Sequence, residues 1–166
     1  SSPLQFRKEL ALSHNTMNMA DTKSSKGLAA TSIGTVDCAR HNFKLPCSVG
    51  DLQKGERYNN MDYLFLSSLS KTAMPVLNVS YDIVCQWHKA LWHQMQKSPT
   101  SLHLDYKSME VTFLVPKFHL PTHIAQCQWL FSFNVIRGVG HTDGEPNPFE
   151  VKTDCTLSVS LFWWAD

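Results

Sequence analysis

The sequence carries no excess of charge of either sign: 15 Lys and Arg stand against 14 Asp and Glu, a formal +1 at pH 7. A nucleic-acid-binding protein often advertises itself by a basic surplus, and this one does not. No apolar run approaches the roughly 20 residues that a membrane-spanning helix needs. The five cysteines are an odd number scattered through a mixed chain. That is not a disulfide framework, and an intracellular, reducing compartment is the expectation. Gly138, Gly140 and Gly144 fit neither the dinucleotide nor the Walker spacing, so a nucleotide-binding fold is unsupported. There is no internal repeat and no low-complexity segment. The chain starts at Ser1 rather than Met, and sequence ahead of it is expected to be missing.

What is present is a globular composition, 43% apolar and 17% charged in 166 residues, enough for one domain with a real core. The organising stretch is Val76–Trp87. Leu77, Val79, Tyr81 and Ile83 alternate with Asn78, Ser80 and Asp82, the period-2 pattern of a strand. Pro75 blocks a helix from running into it. Trp87, Leu91 and Met95 then recur at helical spacing, which predicts a strand, a carboxylate near its C-terminal end, and a helix. Open α/β sheets place working groups there, although an Asp at that point also serves as a helix cap.

Elsewhere, Leu4–Leu12 has the pattern of a short helix and residues 27–36 that of a short strand. Gly50 and Gly55 mark a loop, and Tyr58, Met61, Phe65 and Leu69 predict a helix. Residues 97–109 are expected to connect, and Val111–Val115, stopped by Pro116, to form a strand buried on both faces. His119–Cys127 has helical spacing, and Phe131, Phe133 and Val135 alternate as in a strand. The order of elements predicts α/β, with α+β as the alternative.

Two groups of residues carry chemistry. Asp82 has a candidate partner in Glu145, which also completes a Thr142-x-x-Glu145 capping box. Two or three such carboxylates would hold Mg²⁺ and align a phosphodiester for in-line attack. The other group is His119-x3-His123-x3-Cys127, three zinc-type donors along one face of a helix, with Cys38, His41 or Cys85 as a fourth. Buried or loosely placed side chains are the plain alternative. A Cys85–His88 nucleophile pair lacks an oxyanion feature and a third orienting group.

Four blocks together resemble a known family. They are VDCARHNFKLPCSVGDLQKGERYNNMDYLFL (36–66), SYDIVCQW (80–87), FLVPKFHLPTH (113–123), and Phe131-Ser-Phe-Asn134 continued by GVGHTDGE (138–145). In that order they resemble the Kyakuja-Dileera-Zisupton (KDZ) transposases abundant in mushroom-forming fungi. The resemblance implies a cut-and-paste DNA transposase of the nucleus, acting on transposon ends through an Asp–Asp–Glu triad with Mg²⁺ or Mn²⁺. It also implies an RNase H-like core, a mixed sheet with flanking helices. By motif, Asp82 is similar to the second acid and Glu145 to the third. The first acid, in an Asp-Gly-Asn strand, has no match here, and neither Asp21 nor Asp37 is promoted to it. The His-x3-His-x3-Cys block of the family is present in full.

The expectation is therefore an α/β, RNase H-like core that lacks its first catalytic strand. It is divided into an N-terminal segment (1–35), the core fragment (36–150) and an unmatched tail (151–166). Such a fragment is expected to be inactive in strand transfer, its status as an enzyme undecided. The alternative is a non-enzymatic, zinc-stabilised remnant that binds DNA or a protein. The tail is expected to lie outside the core fold, with Leu157, Val159 and Leu161 alternating with serines before an apolar Phe162-Trp163-Trp164.

Overall fold

A computed structural model describes residues 32–39, 41, 43–52, 58–72, 74–139 and 143, together with the backbone of residues 156–163. The N-terminal helix expected at Leu4–Leu12, the capping box at Thr142 and Glu145 itself lie outside the described residues. Five strands make one mixed sheet. They are β1 (Ser32–Cys38), β2 (Phe43–Leu52), β3 (Val76–Ser80), β4 (Glu110–Leu114) and β5 (Thr156–Trp163), in the spatial order β2-β1-β5-β3-β4. β1 is antiparallel to β2 and β5, whereas β3 is parallel to both β4 and β5. The class is mixed α/β, as the alternation of patterns predicted.

Two helices cover one face. In α1 (Tyr58–Leu69), Met61, Leu64, Phe65 and Leu69 recur every three or four residues and are all buried. In α2 (Val84–Met95), Val84, Trp87, Leu91 and Met95 do the same. These side chains share one core with Val36 of β1, Leu52 of β2 and Leu77 and Val79 of β3. The approach of α1 is close because Gly34 and Gly50, paired across β1 and β2, have no side chains. A Cβ on Gly34 would stand 2.8 Å from Met61 Sδ, and one on Gly50 2.9 Å from Leu64 Cδ2.

Trp87 is the hub of that core. It is 1% exposed, with Phe65, Tyr81 and Phe113 set edge-on around it at centroid separations of 5.2, 5.5 and 6.3 Å. A buried indole needs a partner for its N–H. Trp87 Nε1 donates to Asp62 Oδ1 at 2.7 Å, which ties α2 to α1. Burial pushes the Asp62 carboxyl up to about 6, against the opposing pull of that hydrogen bond.

Several expectations are corrected. The tail does not stand outside the fold: β5 is the central strand. β2 was not expected, because as an edge strand it buries only Ser48 and Leu52 and so has no apolar alternation to read. It also carries a bulge, with Cys47 at φ 57° after Pro46. β4 is the opposite edge and is half-buried rather than enclosed on both faces. The helix expected over His119–Cys127 is broken. A 3-10 turn at Leu120–Thr122 ends in extended backbone at His123 and Ile124, and only then does the short α3 (Ala125–Leu130) begin. Pro121 opens that tight turn, and Gln128 Nε2 caps it by donating to the His123 carbonyl at 2.7 Å. Phe131–Val135 makes turns with a single bridge from Val115 to Ser132 rather than a strand.

Asp62 gives the fold a pH dependence. Its carboxyl titrates near 6 when folded and near 3.9 in an unfolded chain, so the neutral form is the one the fold prefers. Its contribution is full below about pH 4 and is lost as pH rises through about 6. Asp62→Asn keeps an acceptor for Trp87 without the charge. It is expected to raise the melting temperature near pH 7.5 and leave it unchanged near pH 4, in parallel thermal melts of both proteins. A variant less stable at both pH values would show that Trp87 needs the carboxylate itself.

Candidate metal centre

β3 and β4 are parallel, so their C-terminal ends open on the same side of the sheet. The chain leaving β3 carries Asp82 and Cys85, and the chain leaving β4 carries His119, His123 and Cys127. Asp82 stands at the turn into α2, where its Oδ1 accepts the Ile83 N–H at 2.7 Å. This contact reaches only the next residue and is not a helix cap: the N-cap position of α2 is Ile83, and no side chain caps that end, so Asp82 does not fill the capping role that its place in the sequence also allowed. Burial pushes the Asp82 carboxyl up, while the Ile83 amide and the imidazoles of His119 and His123 pull it back.

Cys85 lies one turn further, buried in the first turn of α2. Its Sγ is 3.6 Å from His123 Nδ1. Cys127, on α3, completes a group in which one donor atom from each of Cys85, His123 and Cys127 lies within 4.8 Å of the others. Burial, and then the neighbouring Cys127 thiol, pushes the Cys85 thiol up to about 12. His123 is pushed down by burial, so it presents a neutral ring. The broken helix matters here: the extended backbone at His123 turns its ring toward Cys85, where a continuous helix would have held it in a row with His119 and Cys127.

The expected donors therefore separate. His123, Cys127 and Cys85 converge. His119 is a neighbour of Asp82 and His123 but not a member of the group. Cys38 and His41 pair with each other at the end of β1, Sγ to Nδ1 3.2 Å, and do not belong to it either. His88 does not face Cys85 as a base: its Nδ1–H donates to the Val84 carbonyl at 2.6 Å, one turn back.

Two thiols and an imidazole are soft or borderline donors of the kind zinc takes. Ligands about 2.0–2.3 Å from a tetrahedral zinc lie roughly 3.3–3.8 Å apart, and the Cys85–His123 separation falls in that range. Among the described residues the carboxylate that acts on the group is Asp82, whose charge is felt at His123 without a hydrogen bond between them. Asp143, two residues before Glu145, is fastened to the chain leaving β4. Its carbonyl accepts the Lys117 N–H at 2.9 Å, and its carboxylate meets Lys117 Nζ at 3.1 Å.

In comparisons with known proteins, residues 6–147 match the family described as KDZ: Kyakuja-Dileera-Zisupton transposase. No curated protein and no solved structure matches the chain. No helix among the described residues is long and apolar enough to cross a membrane.

The electrostatics of the cluster can be read without a metal. At about pH 8 a thiol titrating near 12 is roughly 10⁻⁴ thiolate. Iodoacetamide is therefore expected to label the exposed Cys47 at least ~100-fold faster than Cys85 in the folded, metal-free chain. Site-resolved mass spectrometry reads the two rates, and denaturation should bring them together. Equal rates in the folded chain would mean that Cys85 is neither buried nor neutral.

Proposed function

This chain belongs to the Kyakuja-Dileera-Zisupton transposase family, and from that premise we propose that it is part of an RNase H-like transposase core acting on DNA. In this reading Asp82 and Glu145 are two of three acids of a metal-dependent cleavage and strand-transfer site, and the 166-residue chain by itself transfers no strands. The observation that carries the reading is the position of Asp82. The acid implied by the family resemblance stands at the C-terminal end of a parallel strand, at the start of a helix, where open sheets present reacting groups. Mg²⁺ or Mn²⁺ held by these carboxylates would stabilise charge on the phosphodiester. The protein's own share is to hold Asp82 half-buried, with its carboxylate steadied by the Ile83 amide.

A second reading, a zinc-stabilised remnant that binds DNA or a protein and performs no chemistry, is favoured by the donor set. Cys85, His123 and Cys127 would hold Zn²⁺ and so fasten the segment after β4 to the start of α2. Asp82, meanwhile, has no carboxylate neighbour among the described residues.

Two measurements separate these readings. In a cleavage and strand-transfer assay with transposon-end DNA and Mg²⁺ or Mn²⁺, the chain as given is expected to be inactive. Joined to an upstream Asp-bearing strand it is expected to gain activity that Asp82→Ala or Glu145→Ala abolishes. Metal-dependent cleavage by the 166-residue chain alone would refute the first expectation, and activity surviving Asp82→Ala would refute the role of that acid.

Zinc is tested by titration of the metal-free chain. One equivalent is expected to bind, and Cys85→Ser or Cys127→Ser should weaken it at least ~100-fold. Zinc takes cysteine as thiolate, so each cysteine ligand gives up its proton on binding, while burial holds the Cys85 thiol protonated and the His123 ring neutral beforehand. The apparent affinity should therefore rise about 100-fold per pH unit near neutrality. A pH-independent affinity, or none, would remove the thiols from the metal site.

A further inference from the structure

Within residues 6–147, the span shared with the family, the sheet is in two pieces. β1 and β2 form one pair, β3 and β4 another, and among the described residues no ladder joins the pairs directly. The strand between them, β5, lies beyond that span. It pairs antiparallel with β1 at seven positions, from Ser32↔Trp163 to Cys38↔Leu157, and parallel with β3 at three, from Asn78↔Thr156 to Ser80↔Ser158.

The gap that β5 fills has definite physical properties. Val36, Leu77 and Val79 on its two walls are fully buried, so these are interior strands and not edges adapted to water. Without a strand between them, their facing N–H and C=O groups would be left unpaired inside a core, which folded proteins avoid. The walls also carry two buried side-chain oxygens with no hydrogen-bond partner among the described residues, Asp37 Oδ1 and Ser80 Oγ. Asp37 and Ser80 are the residues whose backbones are in register with Ser158 from either side. The gap is one strand wide, fixed in direction by an antiparallel and a parallel wall, and polar where the C-terminal ends of β1 and β3 face each other across it.

We propose that the gap between β1 and β3 is a strand-acceptor site. The family-matched domain is completed there by an extended peptide that need not be covalently continuous with it, and β5 is the tethered occupant in this chain. The backbone ladder supplies affinity and direction, antiparallel on the β1 wall and parallel on the β3 wall. Capture of the strand is coupled to folding, because the two half-sheets have no other ladder between them. The occupant continues along β1 beyond its last partner on β3, past the strand end that carries Asp82.

The test uses the whole chain with a specific protease site placed between residues 150 and 156 and cut after folding. The cut chain is unfolded in urea and refolded with an excess of fluorescent peptide 151–166, beside an uncut control. The labelled peptide is expected to enter at one per chain and to restore slow hydrogen exchange at the amides of Ser32–Cys38. The same peptide with Val159→Pro, which lacks a ladder N–H, should bind at least ~100-fold more weakly. Three results overturn the proposal. In one, the uncut chain refolds but the cut chain with peptide does not. In another, the cut chain refolds with its original melting temperature and no peptide bound. In the third, the proline peptide binds as well as the natural one. The readout depends on neither zinc nor DNA, so it stands or falls apart from the catalytic reading.

Discussion

The hydrogen bond from Trp87 Nε1 to the buried carboxyl of Asp62 is the contact on which the geometry of the site rests. An indole as deeply buried as this one cannot leave its N–H unpaired, and the partner it has comes from the other helix. That fixes α2 relative to α1, while Phe65, Tyr81 and Phe113 enclose the ring on its remaining sides. Because Trp87 is only two residues beyond Cys85 and five beyond Asp82, the same packing sets where the first turn of α2 points its donors. The carboxyl is kept in the core at an electrostatic cost, visible in its raised titration.

The parallel pairing of β3 and β4 then does the assembling. Two segments far apart in sequence, one with Asp82 and Cys85 and one with His119, His123 and Cys127, leave the sheet at the same end. Neither segment is a site alone. The irregular backbone between the 3-10 turn and α3 directs His123 and Cys127 toward Cys85, and Gln128 holds that irregularity by capping the turn. Hard-oxygen and soft-sulfur chemistry thus meet at one sheet end, with the imidazoles of His119 and His123 acting on Asp82.

Much of this was legible in the sequence where burial is one-sided. The strand at Val76, the helix after it and the helix from Tyr58 follow from apolar spacing, because each presents one face to a shared core. β2 could not be read in that way, since an edge strand open to solvent has no buried face to impose alternation. The tail was misjudged for a different reason. Its alternating pattern is visible, but whether a strand is central depends on partners roughly 80 to 130 residues away, and period alone does not name them. In the metal group, the residues Cys85, His123 and Cys127 were legible, but their grouping was not. Spacing along a presumed helix made His119 a member and left Cys38 and His41 as options. The break at His123 and the local Cys38–His41 pair decided otherwise. The capping contact from Gln128 was the missed signal.

The central place of β5 also sets a clock for biosynthesis. The other four described strands leave the ribosome before it does, and its ladder with β1 joins residues roughly 120–130 apart in sequence. While translation continues, the nascent chain holds two half-sheets whose inner edges are open, and an open edge is a template for pairing with another chain. Such a topology ties closure of the sheet to the synthesis of residues 156–163. A polypeptide released early, or stalled before residue 156, would carry both of its half-sheets and nothing to close them.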